Sequence, residues 1–235
     1  MVSLPCSPLA RDRIVKSDLV SFDAVMTSSF FDRKRTLFDR WAPNYDVLFT
    51  TVFYQAIHQR LLEFLELPPS PRILDLGCGT GRLLDRLATT YPDLQGTGVD
   101  LSSEMLQQAR RRNRFPDRID FQSGNVEHLP FDGEQFDAVF CTVSFLHYPH
   151  PDRAISEVDR VLKAGGRFYL VDYLPFEFLN TESAASVSTA GLKFYTRSQR
   201  ESLAKPVSWT CEAHHHLLIR IVLTVFCKAS NEMMG

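Results

Sequence analysis

The sequence lacks a surplus of charge: 26 Lys and Arg stand against 28 Asp and Glu, a net of -2 at neutral pH. Without a positive excess nothing draws the whole chain to nucleic acid or to an anionic membrane, which excludes a general polyanion binder. Long apolar runs are also lacking. The best stretch, Leu217 to Cys227, holds Arg220 in its interior and is far shorter than the ~20 residues of a spanning helix, so no integral membrane span is expected. Met1-Val2-Ser3-Leu4-Pro5 has no basic region leading into an apolar one, so no secretory leader is expected. Cysteine is sparse and scattered: Cys6, Cys78, Cys141, Cys211 and Cys227 form no Cys-x-x-Cys pair. Reduced thiols in a cytoplasmic protein fit that pattern. There is no internal repeat and no low-complexity tract.

What is present is enough apolar residue, 44% of 235, to build one substantial core with at most a small lid. Residues 1–26 mix prolines and charges without periodicity and read as a loosely ordered segment. Residues 27–70 read as a helical cover: apolar residues recur at helical spacing over Phe30–Trp41 and Val47–Leu67, separated by Pro43 and ended by Pro68-Pro69 and Pro71. From 71 to 235 short apolar runs alternate with helical patterns. Strands are expected around Ile73-Leu74, Gln95–Val99, Ile119–Gln122, Phe136–Cys141 and Arg167–Val171. Helices are expected over Arg82–Thr90, after a cap at Ser102 or Ser103, and from Pro151 to a stop at Gly165-Gly166. That alternation implies an α/β fold, a mainly parallel sheet with helices on both faces. Beyond it, a helix starts near Tyr195-Thr196-Arg197-Ser198, and Val207–Cys211 and Leu217–Cys227 are candidate final strands.

The segment Ile73-Leu74-Asp75-Leu76-Gly77-Cys78-Gly79-Thr80-Gly81 runs from a strand into a helix, and its glycines allow a tight turn and close approach of a ligand to the backbone. Its spacing departs from G-x-G-x-x-G, which argues against a nicotinamide or flavin dinucleotide. Asp100 ends the next strand about 20 residues on, where an acid accepts hydrogen bonds from both hydroxyls of an unphosphorylated ribose. Tight packing for the glycines and helix capping for Asp100 are the alternative readings.

Leu74 to Gly81, Gly98-Val99-Asp100-Leu101-Ser102, Leu129-Pro130-Phe131 and Leu162-Lys163-Ala164-Gly165-Gly166-Arg167 resemble the successive motifs of class I S-adenosylmethionine-dependent methyltransferases. The resemblance covers about Phe38 to Asp172, and Phe38-Asp39-Arg40-Trp41-Ala42-Pro43-Asn44-Tyr45-Asp46 is similar to the leading helix of the subgroup that includes quinone-ring C-methyltransferases. It implies a Rossmann-like, seven-stranded sheet with an antiparallel last strand, and S-adenosyl-L-methionine as cofactor. It sets Asp75, Gly77, Cys78, Gly79 and Gly81 around the methionine moiety, Asp100 on the ribose, Leu101 beside the adenine, and Cys141-Thr142 near the methionine amine. Asn125, with Val126, occupies a place where relatives often carry an acid facing the adenine amino group. The glycine usual before the penultimate strand is replaced by Lys205-Pro206.

His147 and Tyr148 follow the fourth strand at the carboxyl edge of the sheet, where open α/β folds bind ligands, and His147 is the candidate general base. A structural hydrogen bond is its other reading. Tyr45 could close over the cofactor or simply pack. His214-His215-His216 does not read as a metal site, because adjacent strand residues point to opposite faces and converge only at a kink. Arg110-Arg111-Arg112 with Arg114 reads as a solvated helix end. The expectation is a methyltransferase acting on a small-molecule acceptor, without nucleic acid, as a monomer or homodimer. The rival is a non-catalytic sensor or partner subunit that keeps the cofactor pocket.

Overall fold

In the computed structural model, residues 48–175, 186–187 and 191–230 are described, together with Asp32 and Thr36. The 1–26 segment, most of the Phe30–Trp41 helix, Tyr45 and most of the Leu174–Ala190 stretch lie outside the described residues. The elements are α1 (Leu48–Leu62), β1 (Arg72–Leu76), α2 (Arg82–Thr90), β2 (Gln95–Asp100), α3 (Ser103–Arg112), β3 (Ile119–Ser123), β4 (Phe136–Thr142), α4 (Pro151–Val161) and β5 (Leu162–Tyr173). A two-residue pair, β6 (Ser186–Val187) and β7 (Lys193–Phe194), precedes α5 (Arg197–Ala204), β8 (Thr210–Leu218) and β9 (Ile221–Cys227).

Seven strands form one sheet in the order β3-β2-β1-β4-β5-β9-β8. The pairs β1–β2, β2–β3, β1–β4 and β4–β5 are parallel, and β9 runs antiparallel to both β5 and β8. The expected mainly parallel sheet with an antiparallel last strand is therefore observed. Strand order reverses between β1 and β4, which opens a crevice at their carboxyl ends.

Both faces are buried, so the strands read as near-continuous apolar runs. Ile73, Phe140, Tyr169 and Leu223 join Ile57 and Leu61 of α1, Leu83, Leu84 and Leu87 of α2, and Leu106 and Ala109 of α3 on one face. Leu74, Leu76, Val139, Leu170 and Phe226 join Ala154, Ile155, Val158 and Val161 of α4 and Ala204 of α5 on the other. Ser102 caps α3 by accepting from the Met105 amide at 3.2 Å. The basic run at its end is exposed, as a solvated helix end requires, with Arg110 donating to the Phe121 carbonyl at 2.6 Å and Arg114 forking onto Asp85 of α2.

Three boundaries differ from the sequence reading. α4 stops at Val161, not at the glycine pair, because Leu162 is already paired with Phe136 and β5 begins there. The stretch Leu217–Cys227 is not one strand: β8 runs on through Leu218, the chain reverses at Ile219-Arg220, and β9 begins at Ile221. Arg220 inside the apolar run marks that reversal. Val207, expected to begin a strand, instead ends a single 3-10 turn over 205–207, and the left-handed residue usually supplied by glycine is Ser208, at φ 56°.

The outer third is held by Arg200, which is 1% exposed. Its Nε donates to the Tyr195 carbonyl, Nη1 to Val222 O and Thr224 Oγ1, and Nη2 to the carbonyls of Asp172 and Tyr173, all at 3.0–3.3 Å. One guanidinium fork thus satisfies carbonyls of β5, β9 and the loop before α5. Arg200→Leu should cost about 3–5 kcal/mol by stranding those acceptors, and Arg200→Lys should recover little, since an ammonium cannot span the fork. Guanidinium denaturation of the three proteins measures it; equal midpoints would refute the role.

Candidate active site

The crevice is built where β1, β2 and β4 end. Gly77, Gly79 and Gly81 all take left-handed backbone angles, φ 66°, 53° and 76°. The Gly77 and Cys78 amides donate to the Val99 carbonyl of β2 at 2.8 and 3.1 Å, and the Gly81 amide returns to Cys78 O at 2.9 Å. The three glycines are required for different reasons. A Cβ on Gly77 would lie 2.0 Å from Ser144 Oγ, and one on Gly81 would lie 2.6 Å from the Phe121 ring. A Cβ on Gly79 would meet nothing within 4 Å, so the loop is open to a ligand at that residue.

Asp100 is fastened to this loop. Its Oδ2 accepts from the Gly79 amide at 2.8 Å and its Oδ1 from the Ser102 amide at 2.9 Å, while Ser102 does the capping of α3. These two bonds set the direction of the carboxylate before any ligand arrives. Asp75, at the end of β1, is 2% exposed; burial, then the negative charge of Asp100, push its carboxyl well above the usual range. A cation placed beside these two acids would reverse that shift.

The remaining candidates divide. Leu101 is half-buried beside Asp100. Cys78 turns its thiol inward against Gly98, where a Cβ would lie 2.7 Å from Sγ. Val126 is buried with Leu74, Leu76 and Val99. The Asn125 side-chain oxygen, expected to face an amino group, accepts from the Glu127 amide at 2.9 Å in a local turn. Cys141 is fully buried, its Sγ 3.4 Å from Tyr148 Oη, and burial raises its thiol. Thr142, which ends β4, carries a buried Oγ1 with no hydrogen-bond partner among the described residues. His147 is half-buried and closes the 3-10 turn Phe145–His147 at the ligand edge. Tyr148, expected with His147 at the ligand edge, is 7% exposed, and its hydroxyl lies 3.1 Å from Ser144 Oγ. It buttresses the wall behind Gly77.

Three features were not anticipated. Ser144 is the residue that makes Gly77 obligatory. Val143 sits at φ 52°, a strained angle for a β-branched residue, with its amide donating to Val171 O at 2.7 Å. Asp172, near the end of β5, accepts from the Leu146 amide at 2.9 Å and so positions the turn that carries His147; burial raises its pKa to about 6. An apolar strand ending in an acid, Tyr169-Leu170-Val171-Asp172, is the one signal that could have marked Asp172. An aromatic wall stands at the same end of the sheet, where Tyr173 of β5 stacks on Phe53 of α1 with centroids 6.4 Å apart.

Residues 74–170 match the family described as "Methyltransferase domain". A demethylmenaquinone methyltransferase of Symbiobacterium thermophilum is 37% identical over 146 residues, covering 59% of this chain and 58% of that protein. A phthiotriol/phenolphthiotriol dimycocerosates methyltransferase of Mycobacterium ulcerans is 31% identical over 166 residues, 70% of this chain and 60% of its own. The chain thus spans about three-fifths of the length of these curated relatives. In fold it is similar to geranyl diphosphate C-methyltransferase from Streptomyces coelicolor, solved with Mg2+, geranyl diphosphate and S-adenosyl-L-homocysteine. There the TM-score is 0.64 at 16% identity, over 75% of this chain and 79% of that one.

The different surroundings of the glycines give a test. Gly77→Ala should destabilise by more than ~2 kcal/mol through overlap with Ser144 and backbone strain, whereas Gly79→Ala should cost only the left-handed angle, about 1–2 kcal/mol. Ser144→Gly should restore part of the Gly77→Ala loss and leave Gly79→Ala unaffected. Chemical denaturation of the cycle reads both; equal costs at the two glycines would refute the assignment.

Proposed function

We propose that the chain, whose residues 74–170 match the methyltransferase-domain family, is a class I S-adenosylmethionine-dependent methyltransferase that transfers the cofactor's methyl group to a small-molecule acceptor carrying a ring or other apolar body. The observation that carries this reading is the open space over Gly79 beside an Asp100 carboxylate already oriented by two backbone amides. The donor set fits the cofactor. Asp100 can accept from a vicinal diol, the raised and buried Asp75 lies where an ammonium group offsets the mutual repulsion of the two acids, and Thr142 Oγ1 lacks a partner among the described residues. Bound S-adenosylmethionine supplies an electrophilic methyl group on a sulfonium.

The chain's own residues hold, orient and dry the site. The Gly77–Gly81 backbone leaves the floor of the crevice free of side chains, Ser144 and Tyr148 close it from the β4 side, and Phe53 with Tyr173 offers an aromatic wall to the acceptor. Alignment of the two reacting atoms and exclusion of water are the main demands of an in-line methyl transfer. His147 is the proton acceptor for a neutral nucleophile, held at the edge by a turn that Asp172 anchors through the Leu146 amide. The relatives' names, demethylmenaquinone and dimycocerosate methyltransferases, support an acceptor of this apolar class.

Titration calorimetry should show binding of S-adenosylmethionine and its demethylated product but not of a nicotinamide dinucleotide. Asp100→Ala should lose on the order of 2–4 kcal/mol of that binding, and Gly79→Val should abolish it in a folded protein. Incubation with methyl-labelled cofactor and extract should label a small, apolar product; binding without any labelled product would favour a sensor. With a neutral hydroxyl or unactivated ring acceptor, His147→Ala should lower turnover ~10²–10⁴-fold and remove the ascending limb of the pH profile, at unchanged cofactor affinity. An unaltered profile would leave alignment and water exclusion as the whole mechanism.

A further inference from the structure

The outer edge of the sheet, away from the crevice, carries a second cluster of chemistry-bearing side chains. In a regular strand Cys211 and His214 would point to opposite faces, being three residues apart. β8 is not regular. Cys211 pairs with Phe226 and Ala213 with Val225, so Glu212 is an extra residue in the ladder, and His214 then pairs with Thr224. Phe226 and Thr224 lie on one face of β9, and the bulge therefore turns Cys211 and His214 to that same face. α5 covers it and contributes Glu201. One ligand atom from each of Glu201, Cys211 and His214 lies within 4.8 Å of the other two.

The donors are a thiol, an imidazole and a carboxylate, the mixture that suits zinc and its neighbours rather than calcium or magnesium. Cys211 Sγ and His214 Nε2 are 3.6 Å apart, against about 3.5 Å for sulfur and nitrogen on one tetrahedral zinc. Glu201 Oε1 and His214 Nε2, hydrogen-bonded at 2.8 Å, need to open to about 3.3 Å to admit the ion. Glu201 has the freedom to do so, its side chain being 47% exposed. On the far side of the ring, Nδ1 lies 3.0 Å from Thr224 Oγ1, an outer partner of the kind that fixes the orientation of a ligating imidazole.

We propose that Glu201, Cys211 and His214 bind one zinc-class divalent cation that clasps α5 to the edge strand, with water in the fourth position. Binding takes Glu201 as its carboxylate and Cys211 as its thiolate, releasing the thiol proton to solvent. His214 stays neutral and carries its ring proton on Nδ1, donating to Thr224. Two anionic ligands neutralise the dication. The triple-histidine run contributes only its first member: His215 stacks on Phe64 on the opposite face, with centroids 4.1 Å apart, and His216 meets Arg197. The proposal departs from the expectation of no metal because that expectation took β8 as a regular strand. It does not rest on the methyltransferase reading.

The test is cobalt titration of the chelator-treated, full-length protein, watched in the near-ultraviolet and visible. One equivalent of Co2+ should give a thiolate-to-cobalt charge-transfer band and intense tetrahedral bands, all bleached by Zn2+, and one Zn2+ should raise the melting temperature. Cys211→Ser, which changes one atom, should remove the charge-transfer band and weaken zinc binding by at least ~10–100-fold. His214→Asn should do the same. Cys227→Ser and His216→Ala should leave band and affinity unchanged. Absence of the band in the folded wild type would overturn the proposal. So would metal binding that survives Cys211→Ser but is lost in His216→Ala, which would be adventitious binding by the histidine run.

Discussion

Everything at the ligand edge depends on the chain leaving β1 without a Cβ at residue 77. The turn must pass low over the end of β2, because the Gly77 and Cys78 amides share the Val99 carbonyl, and close beside the end of β4, where Ser144 fills the space a side chain would need. That passage brings the Gly79 amide to Asp100, and the bond between them fixes both the loop and the carboxylate. Gly81, pressed on Phe121 of β3, then starts α2 at once. The glycines are thus first a packing solution across three strands, and the open space over Gly79 is its by-product. Of the three, Gly79 is the one whose missing side chain leaves open space.

The opposite edge of the sheet follows a different rule. The inner strands are held by apolar contact on both faces, but where β5, β9 and the approach to α5 converge, the packing unit is a buried guanidinium with five acceptors. A buried charge of this kind is tolerated because its donors are used; desolvation lowers the Arg200 pKa to about 10, and the Asp172 side chain opposes that shift. Asp172 connects the two regions. Its backbone carbonyl takes Arg200, and its carboxylate takes the Leu146 amide that precedes His147. The antiparallel hairpin is therefore coupled to the Phe145–His147 turn through one strand end.

Most of the inner fold was legible because each element carries a single dominant signal. Arg82–Thr90 has its leucines on one helical stripe, Ser102 stands one residue before an apolar-periodic run, and the strands are short apolar segments bounded by turn residues. The tight turn at Gly77–Gly81 and the place of Asp100 at the end of β2 were legible for the same reason, as residue types whose spacing has a mechanical cause. What was not legible depends on partners distant in sequence. Nothing near Tyr148 tells that its hydroxyl will meet Cys141 and Ser144, and nothing near Asn125 tells that its amide oxygen will be taken by a local turn. The glycine pair at 165 and 166 is a stop signal for a helix, but Leu162 had already been claimed by pairing with Phe136, and tertiary pairing overrode the local cue.

The outer hairpin shows why that kind of failure concentrates where it does. A strand's face assignment is a parity, and one inserted residue inverts it for everything beyond. In the inner strands both faces are buried, so either parity places apolar side chains in a core and the strands are recognised without it. β8 is an edge strand with mixed, half-exposed residues, and Thr-Cys-Glu-Ala-His-His-His carries no apolar alternation from which parity could be read. The bulge at Glu212 is set instead by the partner strand, whose own parity is fixed by Leu223, Val225 and Phe226 in the two cores. Hence Cys211 and His214 are brought to one face by residues of β9 rather than by anything in their own segment. Side chains that converge in this way are invisible to spacing rules, and the geometry of β9 decides what they can hold.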